Sequence, residues 1–181
     1  MSDGHNIVTL CIFDTEPRDF AFEEVELLSD LARIVVHELE LRLLATRDSL
    51  TGALSRREFK DEARRAAALA LRHHQDLSCV AVDLDHFKDV NDTHGHSAGD
   101  TVLTGVVNAF REELRDTDLI GRLGGEEFAV LLPNTAAPGA LDVAERMRAA
   151  IKGLKFEFGS CSLGVTASFG VASLDRTTRG C

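Results

Sequence analysis

Gly121-Arg122-Leu123-Gly124-Gly125-Glu126-Glu127-Phe128-Ala129-Val130-Leu131-Leu132 sets two glycines and two carboxylates against an apolar run. A run such as Phe128–Leu132 reads as a buried strand, and the Gly-Gly pair before it reads as the tip of a β-hairpin. Glycine there permits positive φ and lets a ligand approach the backbone closely. Adjacent carboxylates at such a tip repel each other, and a hard divalent cation relieves that repulsion.

Upstream the chain reads Cys79-Val80-Ala81-Val82-Asp83-Leu84-Asp85-His86-Phe87-Lys88-Asp89-Val90-Asn91-Asp92. Small and apolar residues run into Asp83, as in a buried strand that ends at a polar edge. On a strand, Asp83 and Asp85 would share a face. Asp83 would then point to the same space as Glu126 and Glu127 if the two strands are neighbours. Lys88 follows as a compact positive charge suited to phosphate. Thr93–Asp100 reads as a polar, glycine-punctuated loop, leading into the apolar-periodic Val102, Leu103, Val106, Val107 and Phe110.

These stretches resemble the signature blocks of GGDEF domains. The carriers are Asp48-Ser49-Leu50-Thr51-Gly52-Ala53-Leu54-Ser55-Arg56-Arg57, the segment Asp83–Asp100, and Arg122–Phe128 with its Gly-Gly-Glu-Glu-Phe form of the name motif. Val165-Thr166-Ala167-Ser168-Phe169-Gly170-Val171-Ala172 resembles a late strand of the same family. The blocks run from Asp48 to Ala172 in order and at family-like spacing.

The resemblance implies a diguanylate cyclase, which condenses two GTP into cyclic di-GMP and releases pyrophosphate. It implies that Asp83, the Leu84 carbonyl, Glu126 and Glu127 hold Mg²⁺ or Mn²⁺. Glu126, Glu127 and Lys88 would carry the catalysis, with Lys88 stabilising phosphate charge. Asn91 and Asp100 match guanine-reading positions, and Phe87, His96, Gly124 and Gly125 would line the substrate. Arg115 and Asp118 have the spacing of the family's product-inhibition motif, and Arg146 falls where a further inhibitory arginine is found. Each half-site takes one GTP, so the resemblance also implies a homodimer.

The implied fold class is α+β, the nucleotidyl-cyclase version of a ferredoxin-like fold. A mainly antiparallel central sheet is flanked by helices and preceded by a signalling helix. The boundaries expected are 1–20, resembling the closing segment of a GAF sensor domain; 21–47, the signalling helix; and 48–181, the GGDEF domain. Ile7–Phe13 reads as a strand. Leu27, Leu31, Ile34 and Leu41 fall on a stripe of alternating four- and three-residue steps that Glu38 interrupts, widened by Leu28, Val35 and Leu39. That pattern suits a helix packed on its own domain, or one pairing with a second subunit.

The remaining elements expected are helices over Arg57–Arg72, Asp100–Arg115 and Ala140–Ile151, and strands over Asp76–Val82, Leu154–Phe158 and Gly164–Ser173. Family members continue past the late strand with a helix whose basic residues contact GTP phosphates. Leu174–Cys181 does not match that pattern, and Arg176 and Arg179 take no such role. Reduced GTP affinity and turnover are therefore expected. The alternative is a catalytically impaired domain serving as a regulatory module that binds cyclic di-GMP or GTP.

Composition narrows the classes. The net charge of −10 argues against a nucleic-acid surface. No apolar run approaches the ~20 residues that cross a bilayer, so no membrane contact is expected. Cys11, Cys79, Cys161 and Cys181 lack the paired spacing of a zinc or redox site. Reduced cysteines and a cytoplasmic location fit that usage.

Overall fold

The computed structural model describes residues 19–159 and 161–174, with the backbone alone at 39–45 and 161. The strand expected at Ile7–Phe13 lies outside the described residues, and so do Arg176 and Arg179. The chain divides into two compact units, Met1–Ala45 and Thr46–Cys181.

Helix α1 (Phe22–Thr46) fills most of the described part of the first unit. Several of its apolar side chains are open to solvent: Leu27 is 61% exposed, Leu31 45% and Ile34 64%.

The second unit runs β1 (Leu54–Ser55), α2 (Arg56–His73), β2 (Leu77–Leu84), α3 (Phe87–His94), α4 (His96–Glu113), β3 (Leu119–Gly124) and β4 (Glu127–Pro133). It continues with α5 (Ala137–Gly153), β5 (Phe156–Phe158), β6 (Cys161–Leu163) and β7 (Ala167–Ser173). One sheet has the order β1-β3-β4-β2-β7, and β5 pairs with β6 in a separate ribbon. Only β1 and β3 run parallel in the five-stranded sheet. This is the expected α+β nucleotidyl-cyclase-like fold.

Strand alternation builds two cores. Val80, Val82 and Leu84 of β2, with Phe128, Val130 and Leu132 of β4, face α4 and α5 through Val102, Val106, Phe110, Met147 and Ile151. Leu77 with Ala129 and Leu131 face Phe59 and Ala70 of α2 on the other side. Phe110 stacks edge-on against both Phe128 and Phe169, at ring-centre distances of 6.3 Å. It thereby ties α4 to the two strands that flank β2. Burying each such ring contributes roughly 1.5–3 kcal/mol.

Three segments differ from the sequence reading. Thr93–Asp100 is not a loop: α3 ends at His94, Gly95 turns the chain with φ 83°, and α4 starts at His96. A single residue in a conformation open to glycine joins two helices there. The strand expected over Gly164–Ser173 is β7 and begins later, at Ala167, and a further short strand, β6, precedes it and ends at Leu163. Asp85 does not share a strand face with Asp83, because β2 ends at Leu84 and the Asp85 carboxylate turns toward β7.

Candidate active site

The hairpin tip is Gly125-Glu126, closed by the pairing of Gly124 with Glu127. Gly125 sits at φ 45°, a conformation costly for a residue with a β-carbon. Glu126 and Glu127, being neighbours, open to different sides. Glu126 lines a hollow of about 430 Å³ with Lys88, Asn91, His96, Asp100, Phe87 and Gly125. Glu127 lines another of about 380 Å³ with Asp83 and Ser168.

Helix α3 accounts for the first hollow. Phe87 and Val90 point into the core, so Lys88 and Asn91 emerge on the open side. Asp100 and His96 come from the first turns of α4. A wall with an ammonium, an amide and carboxylates, over the apolar floor of Phe87 and Leu103, suits a polar ligand with a flat ring and an anionic tail. Phe87, Lys88, Asn91, His96, Asp100, Gly125 and Glu126, all expected from the sequence, come together here, whereas Gly124 lies outside this lining.

Asp83 stands opposite Glu127 on β4 and Ser168 on β7, and directly opposed residues on antiparallel strands bring their β-carbons to about 5 Å. Among the described residues, no three His, Cys, Asp or Glu side chains gather as a metal-holding cluster. Two opposed carboxylates with a third on the adjoining residue still fit Mg²⁺. That ion takes one or two carboxylates plus substrate phosphates and waters, rather than an all-protein cage. The Leu84 side chain is buried, which leaves only its backbone to serve such an ion.

Arg122, outside the residues expected from the sequence, fastens the tip. Its Nε and Nη2 donate to the Gly125 carbonyl at 3.0 and 2.8 Å, and its Nη1 donates to Asp48. Asp48 also accepts from the amide and hydroxyl of Thr51. Burial pushes the Asp48 carboxyl up, but the Thr51 bonds and the Arg122 guanidinium outweigh it and hold the group below its ordinary value. The Asp48–Thr51 spacing is a readable local turn signal. Nothing in the sequence pairs Asp48 with an arginine so far along the chain.

A third hollow, about 340 Å³, is lined by Arg47, Arg111, Arg115, Asp116 and Asp118. Arg115 and Asp118 close a turn on each other: the Arg115 amide donates to Asp118 Oδ2 at 3.0 Å, and the Asp118 amide donates to the Arg115 carbonyl at 3.0 Å. Arg146 is not in this lining. Its guanidinium is held by the Glu113 carboxylate and carbonyl at the end of α4. Arg47 and Arg111 are the cationic members that the sequence did not mark.

The family described as "Diguanylate cyclase, GGDEF domain" matches residues 45–180. The chain is 38% identical over 144 residues to the diguanylate cyclase DgcP of Pseudomonas aeruginosa, covering 80% of this chain and 22% of that protein. It spans less than half the length of the curated relatives that it matches. Among solved structures, the diguanylate cyclase SiaD of P. aeruginosa, in complex with its activator SiaC, superposes with a TM-score of 0.70 at 41% identity. That match covers 84% of this chain and 60% of SiaD. The coiled coil and GGDEF domain of DgcB from Caulobacter crescentus, in complex with c-di-GMP, gives 0.77 at 29% identity, over 83% and 81% of the two chains. By sequence and fold together, this chain belongs to the GGDEF diguanylate cyclase family.

Proposed function

We propose that this chain condenses two molecules of GTP into cyclic di-GMP. The observation that carries the reading is the hollow in which Lys88, Asn91, Asp100 and Glu126 face one another, beside the opposed pair Asp83 and Glu127. Asn91 and Asp100 would read the guanine edge, where adenine would leave a polar group unpaired. Lys88 would neutralise phosphate charge. Phe87, His96 and Gly125 complete the walls, and Gly124, at the end of β3, would let the substrate approach the backbone. Asp83, Glu127, Glu126 and the Leu84 carbonyl would hold Mg²⁺ or Mn²⁺, which supplies charge neutralisation on the phosphates.

In the reaction each GTP presents its ribose 3′-hydroxyl to the α-phosphate of the other. Two phosphodiester bonds form, two pyrophosphates leave, and two hydroxyl protons are released. Glu126, half-buried at the tip, is the candidate to accept a proton. The work of the other residues is positioning. One site holds one GTP, so two copies must meet face to face. The exposed apolar stripe Leu27, Leu31 and Ile34 on α1 supports pairing through that helix, and the DgcB structure includes a coiled coil of its own. Product would be sensed at Arg115 and Asp118, with Arg47 and Arg111 adding positive charge to that hollow. Arg146, held by Glu113 outside that lining, would be the further inhibitory arginine by exchanging that pair for the product.

The test is incubation with GTP and Mg²⁺, followed by chromatographic detection of cyclic di-GMP and a separate pyrophosphate assay. Both products are expected in a ratio of one to two. GTP binding with neither product would replace this reading with that of a nucleotide-binding regulatory module.

A further inference from the structure

Asp85 is the junction between the two halves of the site. Its amide donates to the Thr166 carbonyl at 2.9 Å. Its Oδ2 accepts the Thr166 hydroxyl at 2.7 Å, and its Oδ1 accepts the Ser168 hydroxyl at 2.8 Å. Both carboxylate oxygens and the backbone are thus fastened to the start of β7. On its N-terminal side lies Asp83, whose cross-strand neighbour is the same Ser168. On its C-terminal side comes His86, a non-glycine residue at φ 57°, and then α3 with Lys88 and Asn91.

A left-handed residue with a side chain persists only where its surroundings over-determine it. The bonds of Asp85 fix the backbone just before that turn. A solvated acid at a strand end would need neither hydroxyl. We propose that Asp85, through Thr166 and Ser168, is a positioning residue that sets the direction in which α3 leaves the sheet. It thereby sets the placement of Lys88 and Asn91 relative to Asp83. This rests on the reading of those residues as a nucleotide site, but its structural core does not.

Three variants test it: Thr166→Val/Ser168→Ala, which deletes both hydroxyls; Thr166→Ser, which keeps both and loses only a methyl group; and Asp85→Asn. Two readouts are needed, steady-state kinetics with GTP and amide hydrogen exchange along 86–94. In the double variant kcat falls roughly 10- to 100-fold, while KM rises by no more than about threefold, because a small misplacement costs rate more than affinity. Exchange along 86–94 quickens, and that of α5 is unchanged. Asp85→Asn falls between the double variant and the native chain on both readouts, and Thr166→Ser stays within about threefold of native kcat. Native exchange along 86–94 in the double variant overturns the proposal, as does a loss of kcat in Thr166→Ser equal to that of the double variant. If the native chain makes no product, the functional reading fails, and exchange alone decides this inference.

Discussion

Arg122 and Asp48, 74 residues apart, meet through one guanidinium nitrogen, with Nη1 3.1 Å from Oδ1 and 3.2 Å from Oδ2. The other two nitrogens of the same side chain hold the Gly125 carbonyl. The start of the domain and the acid-bearing tip are therefore joined by one residue. Both side chains are mostly shielded, at 17% and 24% exposure, so screening by solvent is limited.

Arg122→Ala should destabilise the domain by about 1–3 kcal/mol, the cost of leaving a half-buried carboxylate without its charged donor. At roughly 2–4 °C per kcal/mol for a chain of this size, Tm falls by several degrees. Arg122→Lys keeps the charge but loses the fork, so it should recover part of the stability and little of the GTP turnover. Denaturant melts and a turnover assay on the same preparations separate the two. Equal recovery of both would show that the fork does not shape the tip.

The same carboxylate gives a pH dependence. The folded-state pKa of Asp48 is depressed from 3.8, so between that value and the lower folded one the unfolded chain binds more protons. Stability rises with pH across that window, is fully present above it, and is lost on acidification through the folded pKa. Asp48→Asn should flatten the acid limb of a stability-against-pH curve below 3.8 without altering its shape near neutrality. An unchanged acid limb would remove Asp48 as a contributor.

Much of this was legible because it is local. The run Phe128–Leu132 reads as a buried strand, and all five residues are buried in β4. Its glycines read as a hairpin tip, and the tip is there. Helix α3 was missed because Lys88, Asp89, Asn91, Asp92 and Thr93 present polar chemistry, with only Phe87 and Val90 buried. The side-chain bonds of Asp85 span 81 and 83 residues, and those of Arg122 to Asp48 span 74. Such pairings depend on sheet order, which periodicity does not encode.

The two tip acids should fail differently. Glu126→Gln should cut turnover roughly 10²-fold or more with binding of GTP largely kept, as for loss of a proton acceptor. Glu127→Gln and Asp83→Asn should raise the Mg²⁺ concentration that gives half-maximal rate, since they thin the oxygen donors. A divalent-ion titration of each variant makes the comparison. An unchanged half-maximal Mg²⁺ concentration in Glu127→Gln and Asp83→Asn would remove that opposed pair from the metal site.

Gly99 tests the guanine-reading side. A β-carbon there would run into the Asn91 amide and come to 3.0 Å of Phe87 Cζ, so Gly99→Ala must displace Asn91 from the hollow. Affinity for a GTP analogue should drop about tenfold, equal to ~1.4 kcal/mol. Gly153→Ala is the control: nothing lies within 4 Å of its added carbon, and binding should stay native. Calorimetry on both reports the difference, and native affinity in Gly99→Ala would remove Asn91 from the binding wall.

The last prediction concerns α1. Leu27, Leu31 and Ile34 lie at four- and three-residue steps and are all exposed, an apolar seam of the kind that a paired helix buries. Replacing Leu31 and Ile34 with Asp puts like charges into any symmetric seam, where two copies would have to desolvate them together. Light scattering should then report a monomer, and cyclic di-GMP formation should fall to background, because each site brings only one GTP. Since Thr46–Cys181 forms a compact unit of its own, its melt and its affinity for a single GTP analogue should not change. A monomer that still makes product at the native rate would show that the seam has no part in bringing two sites together.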